Sequence, residues 1–178
     1  MKNNIIGRKS EQDTLARIYE SRQSEFVAVC GRRRVGKTFL VREYFEQEMV
    51  FQTSGLAGGN TQEQLKNFFY TLRRYDRNVT SVPHDWLDAF EMLITYLDSL
   101  NGIERKVIFL DELPWMDTAG SNFISALEHF WNGWASARRD IVLIVCGSAT
   151  SWMMDKLINN HSGLYGRLTH RLFLQPFS

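Results

Sequence analysis

Apolar residues fall along this chain in two alternating textures. Phe26-Val27-Ala28-Val29-Cys30, Val107-Ile108-Phe109-Leu110 and Ile141 to Cys146 are apolar throughout, as strands buried on both faces are. Met49 to Thr53 and Arg171 to Leu174 read as two further strands. Between them the apolar positions recur at helical spacing. Ser10 to Ser21 turns Leu15, Ile18 and Tyr19 inward, and Thr38 to Glu48 gathers Phe39, Leu40, Val41, Tyr44 and Phe45 on one broad side. Thr61 to Tyr75 aligns Leu65, Phe68, Phe69 and Leu72, and Ser121 to Ala137 aligns Phe123, Ile124, Leu127, Phe130, Trp131 and Trp134. Thr150 to Asn159 reads as a short helix.

The breaks are chemical. Pro83 interrupts the chain, and Asp85 is placed to cap a helix whose apolar face runs from Trp86 to Leu100 until Asn101-Gly102 ends it. Strands alternating with helices imply a parallel sheet with helices on both faces, in one domain over residues 1–178. The Trp and Phe stripes read as core packing.

The 178 residues suffice for one domain with a sizeable core, and 44% hydrophobic with 23% charged residues is ordinary for a globular protein. A net charge of +1 gives no bulk attraction to nucleic acid or membrane. No apolar run approaches the roughly 20 residues of a membrane span, and the polar, basic start does not read as a signal peptide, so a cytoplasmic location is expected. Cys30 and Cys146 each close an apolar run and read as small buried hydrophobes, while the four histidines are too scattered for a zinc site.

The chemistry begins after the first strand. Gly31-Arg32-Arg33-Arg34-Val35-Gly36-Lys37-Thr38 matches the pattern G-x-x-x-x-G-K-[ST], between an apolar strand and the amphipathic helix that continues through Phe39. Such a loop wraps a phosphate with inward-pointing N–H groups, glycine standing where the backbone takes unusual angles or approaches closely. The following helix adds its positive end. Lys37 is expected to reach the β- and γ-phosphates of a nucleotide, and Thr38 to offer its hydroxyl to Mg²⁺. The run Arg32–Arg34 raises nucleotide affinity, contacts a neighbouring subunit or nucleic acid, or is simply solvated; a short basic run in a loop favours the last.

Asp111 and Glu112 follow the strand Val107–Leu110, which delivers Asp111 to the sheet edge that carries the loop. There Asp111 can hold Mg²⁺, and Glu112 can orient and deprotonate a water aimed at the γ-phosphate. The apolar run Ile141–Cys146 ends in Gly147 and Ser148. Ser148 senses the γ-phosphate if that strand lies between the two motif strands; otherwise Ser148, Thr150 or Ser151 caps the next helix. Arg167, in Gly163-Leu164-Tyr165-Gly166-Arg167, offers a planar cation suited to a transferring phosphoryl group, although residues alone favour a surface arginine in a glycine turn.

Taken in order, Ile6-Gly7-Arg8-Lys9-Ser10-Glu11, the phosphate loop, Phe109 to Trp115, Cys146-Gly147-Ser148-Ala149, Leu164 to Arg167 and Leu172 to Ser178 resemble the archaeal and bacterial ATPase family in the STAND branch of AAA-like phosphate-loop proteins. The resemblance covers essentially the whole chain. It implies a three-layer α/β/α fold with a five-strand sheet in the order 5-1-4-3-2, which sets Cys30 and Cys146 on adjacent strands. It implies a base pocket near Ile5, Ile6, Gly7 and Arg8, a phosphate-sensing role for Ser148, and Arg167 near the phosphates or at a subunit contact. Many members continue into a winged helix and a nuclease-like domain, so the chain is expected to be the N-terminal part of a longer protein.

The expected cofactors are ATP or ADP with Mg²⁺, since the Asn-Lys-x-Asp motif of GTPases is absent. The expected activity is Mg-dependent ATP hydrolysis in a regulatory switch. The alternatives are a nucleotide-binding module without useful turnover, or an ATPase that meets DNA through a C-terminal region. Assembly into a homo-oligomer is a further expectation of the subunit-contact reading, and no membrane partner is expected.

Overall fold

The computed structural model describes residues 5–159, 164 and 166–177; Gly163, Tyr165 and Ser178 of the motifs above lie outside them. Five parallel strands form one sheet: β1 (Glu25–Cys30), β2 (Met49–Ser54), β3 (Lys106–Asp111), β4 (Ile141–Gly147) and β5 (His170–Phe173). Their order is β2-β3-β4-β1-β5, which is 5-1-4-3-2 read from the other side, as expected. β1, β3 and β4 are buried at every position, so the unbroken apolar runs mark strands covered on both faces.

Alternate strand residues feed two cores. On one face Val27, Val29, Phe109, Val142, Ile144 and Cys146 meet α1 (Lys9–Glu20) and α2 (Lys37–Tyr44) through Leu15, Ile18, Leu40 and Val41. On the other face Phe26, Ala28, Cys30, Ile108, Leu110 and Val145 meet α3 (Thr61–Tyr75), α4 (Trp86–Asp98) and α6 (Phe123–Gly133). The aromatic stripes are core here: Trp86 packs edge-on against Phe68 and Phe123, and Phe90 packs at a tilt against Phe130.

Caps fix the helix starts. Asp85 accepts a hydrogen bond from the Asp88 N–H at 2.8 Å, and Asn60 with Glu63 closes a capping box on α3. Several boundaries differ from the pattern. α2 stops at Tyr44, four residues short of the expected Glu48, and α4 stops at Asp98. The helix read over Ser121 to Ala137 is α6 followed by a 3₁₀ turn, Ala135–Ala137, because Trp134 leaves helical angles at φ −138°, ψ −61°. A short α5 (Leu113–Met116) carries Pro114 in its first turn, where a missing N–H costs nothing. The segment after β4 is a single turn, α7 (Thr150–Met153), that widens into a π turn over Met154–Ile158.

Cys30 and Cys146 do lie on adjacent strands, with Val29 opposite Cys146, but they point to opposite faces and both are free. Burial pushes the Cys30 thiol up to about 11, against the pull of Lys37. Burial, then the charge of Asp111, raises Cys146 as well.

Candidate functional site

The loop after β1 runs over residues 31–36 at the sheet's C-terminal edge. Its bends need residues that tolerate positive φ: Arg34 sits at φ 65° and Gly36 at φ 94°, where Gly36 caps α2. Gly31 answers a different demand. A Cβ there would meet the Leu174 carbonyl at 2.8 Å, so only glycine lets the loop lie against the end of β5. Lys37 is buried and donates to the carbonyls of Gly31 and Arg32, both at 2.7 Å, which seats its ammonium across the base of the loop. Arg32, Arg33 and Arg34 are exposed.

Thr38, in the first turn of α2, donates its hydroxyl to Asp111 Oδ2 at 2.7 Å. Asp111 closes β3, is buried, and accepts the Glu112 N–H on Oδ1 at 2.8 Å. Glu112 is held at φ 49°, ψ 44°, a left-handed turn that lifts the chain off the sheet immediately after the aspartate. β4 lies between β3 and β1, so Ser148 emerges between the two motif strands. It lines a cleft of about 360 Å³ together with Glu112, Arg33, Trp115 and Trp152. The α7 cap position is Ala149, with no side-chain hydrogen bond there.

The N-terminal segment reaches the same loop. Arg8 Nη2 donates to the Val35 carbonyl at 3.0 Å, and the guanidinium lies 4.3 Å from the centre of the Phe177 ring. Gly7, at φ 74°, leaves room for that ring. Ile5 packs on the core beneath, while Ile6 and Phe39 are exposed. Arg167 is set apart. It is exposed in the turn before β5, where Thr169 pairs with Phe26 near the start of β1, and it does not line the cleft around Glu112.

Two glycines also shape this edge. A Cβ on Gly147 would meet Pro114 Cδ at 2.7 Å, so the strand end and α5 can touch only because that residue is glycine. Gly55 is as tightly placed: it donates to the Asp111 carbonyl at 3.0 Å, and a Cβ there would meet the Glu112 carbonyl at 2.5 Å. Glycine at a strand's end is the sequence signal for both, but it does not name the partner.

No helix among the described residues is long and apolar enough to cross a membrane. The fold is shared with solved structures. The Walker-type ATPase PABY2304 of Pyrococcus abyssi superposes with a TM-score of 0.68 at 18% identity, covering 99% of this chain and 55% of that one. The Drosophila ORC bound to DNA gives 0.68 at 15% identity over 99% of this chain and 45% of that one. Cdc6p from Pyrobaculum aerophilum gives 0.61 at 16% identity over 100% of this chain and 48% of that one. In sequence, the protein MJECL04 of Methanocaldococcus jannaschii is 27% identical over 172 residues, 97% of this chain, which spans 36% of that protein. The ATP-binding protein MJ0423 of the same organism is 33% identical over 50 residues, 28% of this chain and 85% of that one. The model of the ATPase domain predominantly from Archaea matches residues 6–178, and the chain belongs to that family.

Proposed function

We propose that this domain binds ATP with Mg²⁺ and hydrolyses it slowly, as the nucleotide-dependent switch of a larger protein. The observation that supports this most is the 2.7 Å hydrogen bond joining the Thr38 hydroxyl to the Asp111 carboxylate at the mouth of a loop floored by the Lys37 ammonium. Hydroxyl and carboxylate oxygens are the hard donors that Mg²⁺ prefers, and the buried cation behind them suits a polyphosphate. The residues therefore fit the metal, with Thr38 and Asp111 as its holders. Mg²⁺, when bound, neutralises charge on the phosphates.

The other residues then divide the work. Loop N–H groups and Lys37 bind the phosphates, and Arg8 steadies the loop through the Val35 carbonyl. Glu112 takes a proton from the water that attacks the γ-phosphorus, as the bond to the β–γ bridging oxygen breaks to leave ADP and phosphate. Ser148, across the cleft, orients that water or the γ-phosphate. The segment Ile5 to Arg8, beside the loop, supports a place for the adenine, and the Gly-Arg start supports membership of the STAND branch. Arg167, exposed and outside the cleft, is suited to reach the site of a neighbouring copy; an ATPase rate that rises more than linearly with protein concentration is the expected sign.

Glu112→Gln tests the reading. ATP binding by calorimetry should survive, stronger than GTP binding and dependent on Mg²⁺, while hydrolysis falls about a hundredfold. A wild type that turns over no faster than this variant would make the domain a binding module.

A further inference from the structure

A second charged cleft lies outside the nucleotide site. It has a volume of about 540 Å³ and is lined by Arg42 of α2, by Gln52 to Gly55 at the end of β2, and by Asn67, Thr71 and Arg74 of α3. α2 packs on one face of the sheet and α3 on the other, so a cleft lined by both wraps the open edge of β2, which is the outermost strand. No carboxylate lines it. Arg42 and Arg74 are exposed, and neither side chain makes a hydrogen bond or ion pair with another described residue.

The positive surface continues along α3. A neighbouring hollow of about 590 Å³ is lined by Arg73, Arg74 and Arg77. Rings alternate with the cations: Arg73 lies 5.1 Å from the centres of the buried Phe69 and the exposed Tyr70, Lys66 lies 5.8 Å from Tyr70, and Tyr75 is 42% exposed on the wall of the first cleft. Two acids stand at the ends of this helix. Glu63 belongs to the capping box at its far end, and Asp76 accepts the Asn78 N–H at 3.0 Å. In a chain of net charge +1, this is a local concentration of unpaired cations.

We propose that the surface formed by Arg42, Arg73, Arg74 and Arg77 with Tyr70 and Tyr75 binds single-stranded nucleic acid. Free guanidinium groups contact successive phosphates, and the exposed rings offer stacking faces that accept any base. An acidic peptide would meet the same cations, but carboxylate side chains do not stack, and the aromatic rings between the arginines favour the nucleotide strand. The site is independent of the ATP reading, since none of these residues touches the phosphate loop in the hydrogen bonds described above.

Fluorescence anisotropy with a labelled oligothymidylate of about 12 nucleotides, on the full chain, tests it. Four phosphate contacts should give log K against log salt a slope of about −3. Arg42→Glu combined with Arg74→Glu should weaken binding at least about tenfold and roughly halve the slope. Affinity for Mg-ATP and the melting temperature should stay unchanged, and Arg42→Gln with Arg74→Gln should show the same direction with a smaller loss. The proposal is overturned if the wild type does not bind, if the double variants bind like the wild type, or if polyglutamate of equal charge competes as well as unlabelled oligothymidylate.

Discussion

Where the strands begin, the cations are tied down; where they end, several are left open. At the first edge Arg105 is buried and donates to four carbonyls: Tyr19 at 3.0 Å, Gln23 at 2.7 Å, Arg139 at 2.8 Å and Ile18 at 2.7 Å. Burial lowers its pKa, and the charge of Glu25 opposes that. Beside it Lys106 donates to Asp140 at 2.7 Å, and Arg138 bridges Asp140 and Asp98. At the second edge Arg33, Glu112 and Ser148 share a cleft, and their side chains make no hydrogen bond with another described residue. Lys37 holds only carbonyls of its own loop. Similar residue types thus do two jobs. Satisfied by the protein they fix the fold; left unsatisfied at a strand-to-helix turn they are available to a ligand.

That contrast makes the two edges respond differently to mutation. The largest effect is expected at the first. Arg105→Ala orphans four carbonyls around a buried gap and should cost about 3–5 kcal/mol of stability in urea denaturation. Its effect on the affinity for Mg-ATP in the surviving folded fraction should be negligible. Lys37→Ala should do the reverse, lowering Mg-ATP affinity by about 2–3 kcal/mol in calorimetry while changing stability by no more than about 1 kcal/mol. Untouched affinity in that variant would break the comparison at its centre.

The smallest effect sharpens it. Burial alone would raise Asp140, but its hydrogen bonds to Arg138 and Lys106 outweigh burial and bring it down to about 2 from 3.8. A carboxyl depressed in the folded state stabilises above its unfolded pKa. The contribution should therefore be complete above about pH 4 and fade as pH falls toward 2, amounting to about 1 kcal/mol after solvent screening. Asp140→Asn should remove that part of the acid sensitivity, seen as a flatter plot of melting temperature against pH.

Much of this was legible along the chain because its signals are local. An unbroken apolar run has no polar face to offer water, so β1, β3 and β4 announced themselves, and the G-x-x-x-x-G-K-T spacing fixes a loop between strand and helix whatever surrounds it. Asp111 followed, because a buried strand leaves its first charged residue at the edge. What escaped depends on contacts across the fold. Trp134 keeps the helical stripe yet leaves the helix. The demand on Gly147 comes from Pro114 on another element. The cleft at the β2 edge joins Arg42 and Arg74 from helices on opposite faces, a meeting that no spacing encodes.

The two cysteines give the molecule an internal clock for each of its layers. Cys30 is sealed beneath α3, α4 and α6, and Cys146 beneath α1 and α2, with both thiols held in the sluggish protonated form. An alkylating reagent can reach either sulfur only when the helices above it lift away. Time-resolved labelling, read out by mass, would therefore time the opening of one side of the sheet separately from the other, and added nucleotide should slow the α1–α2 side first.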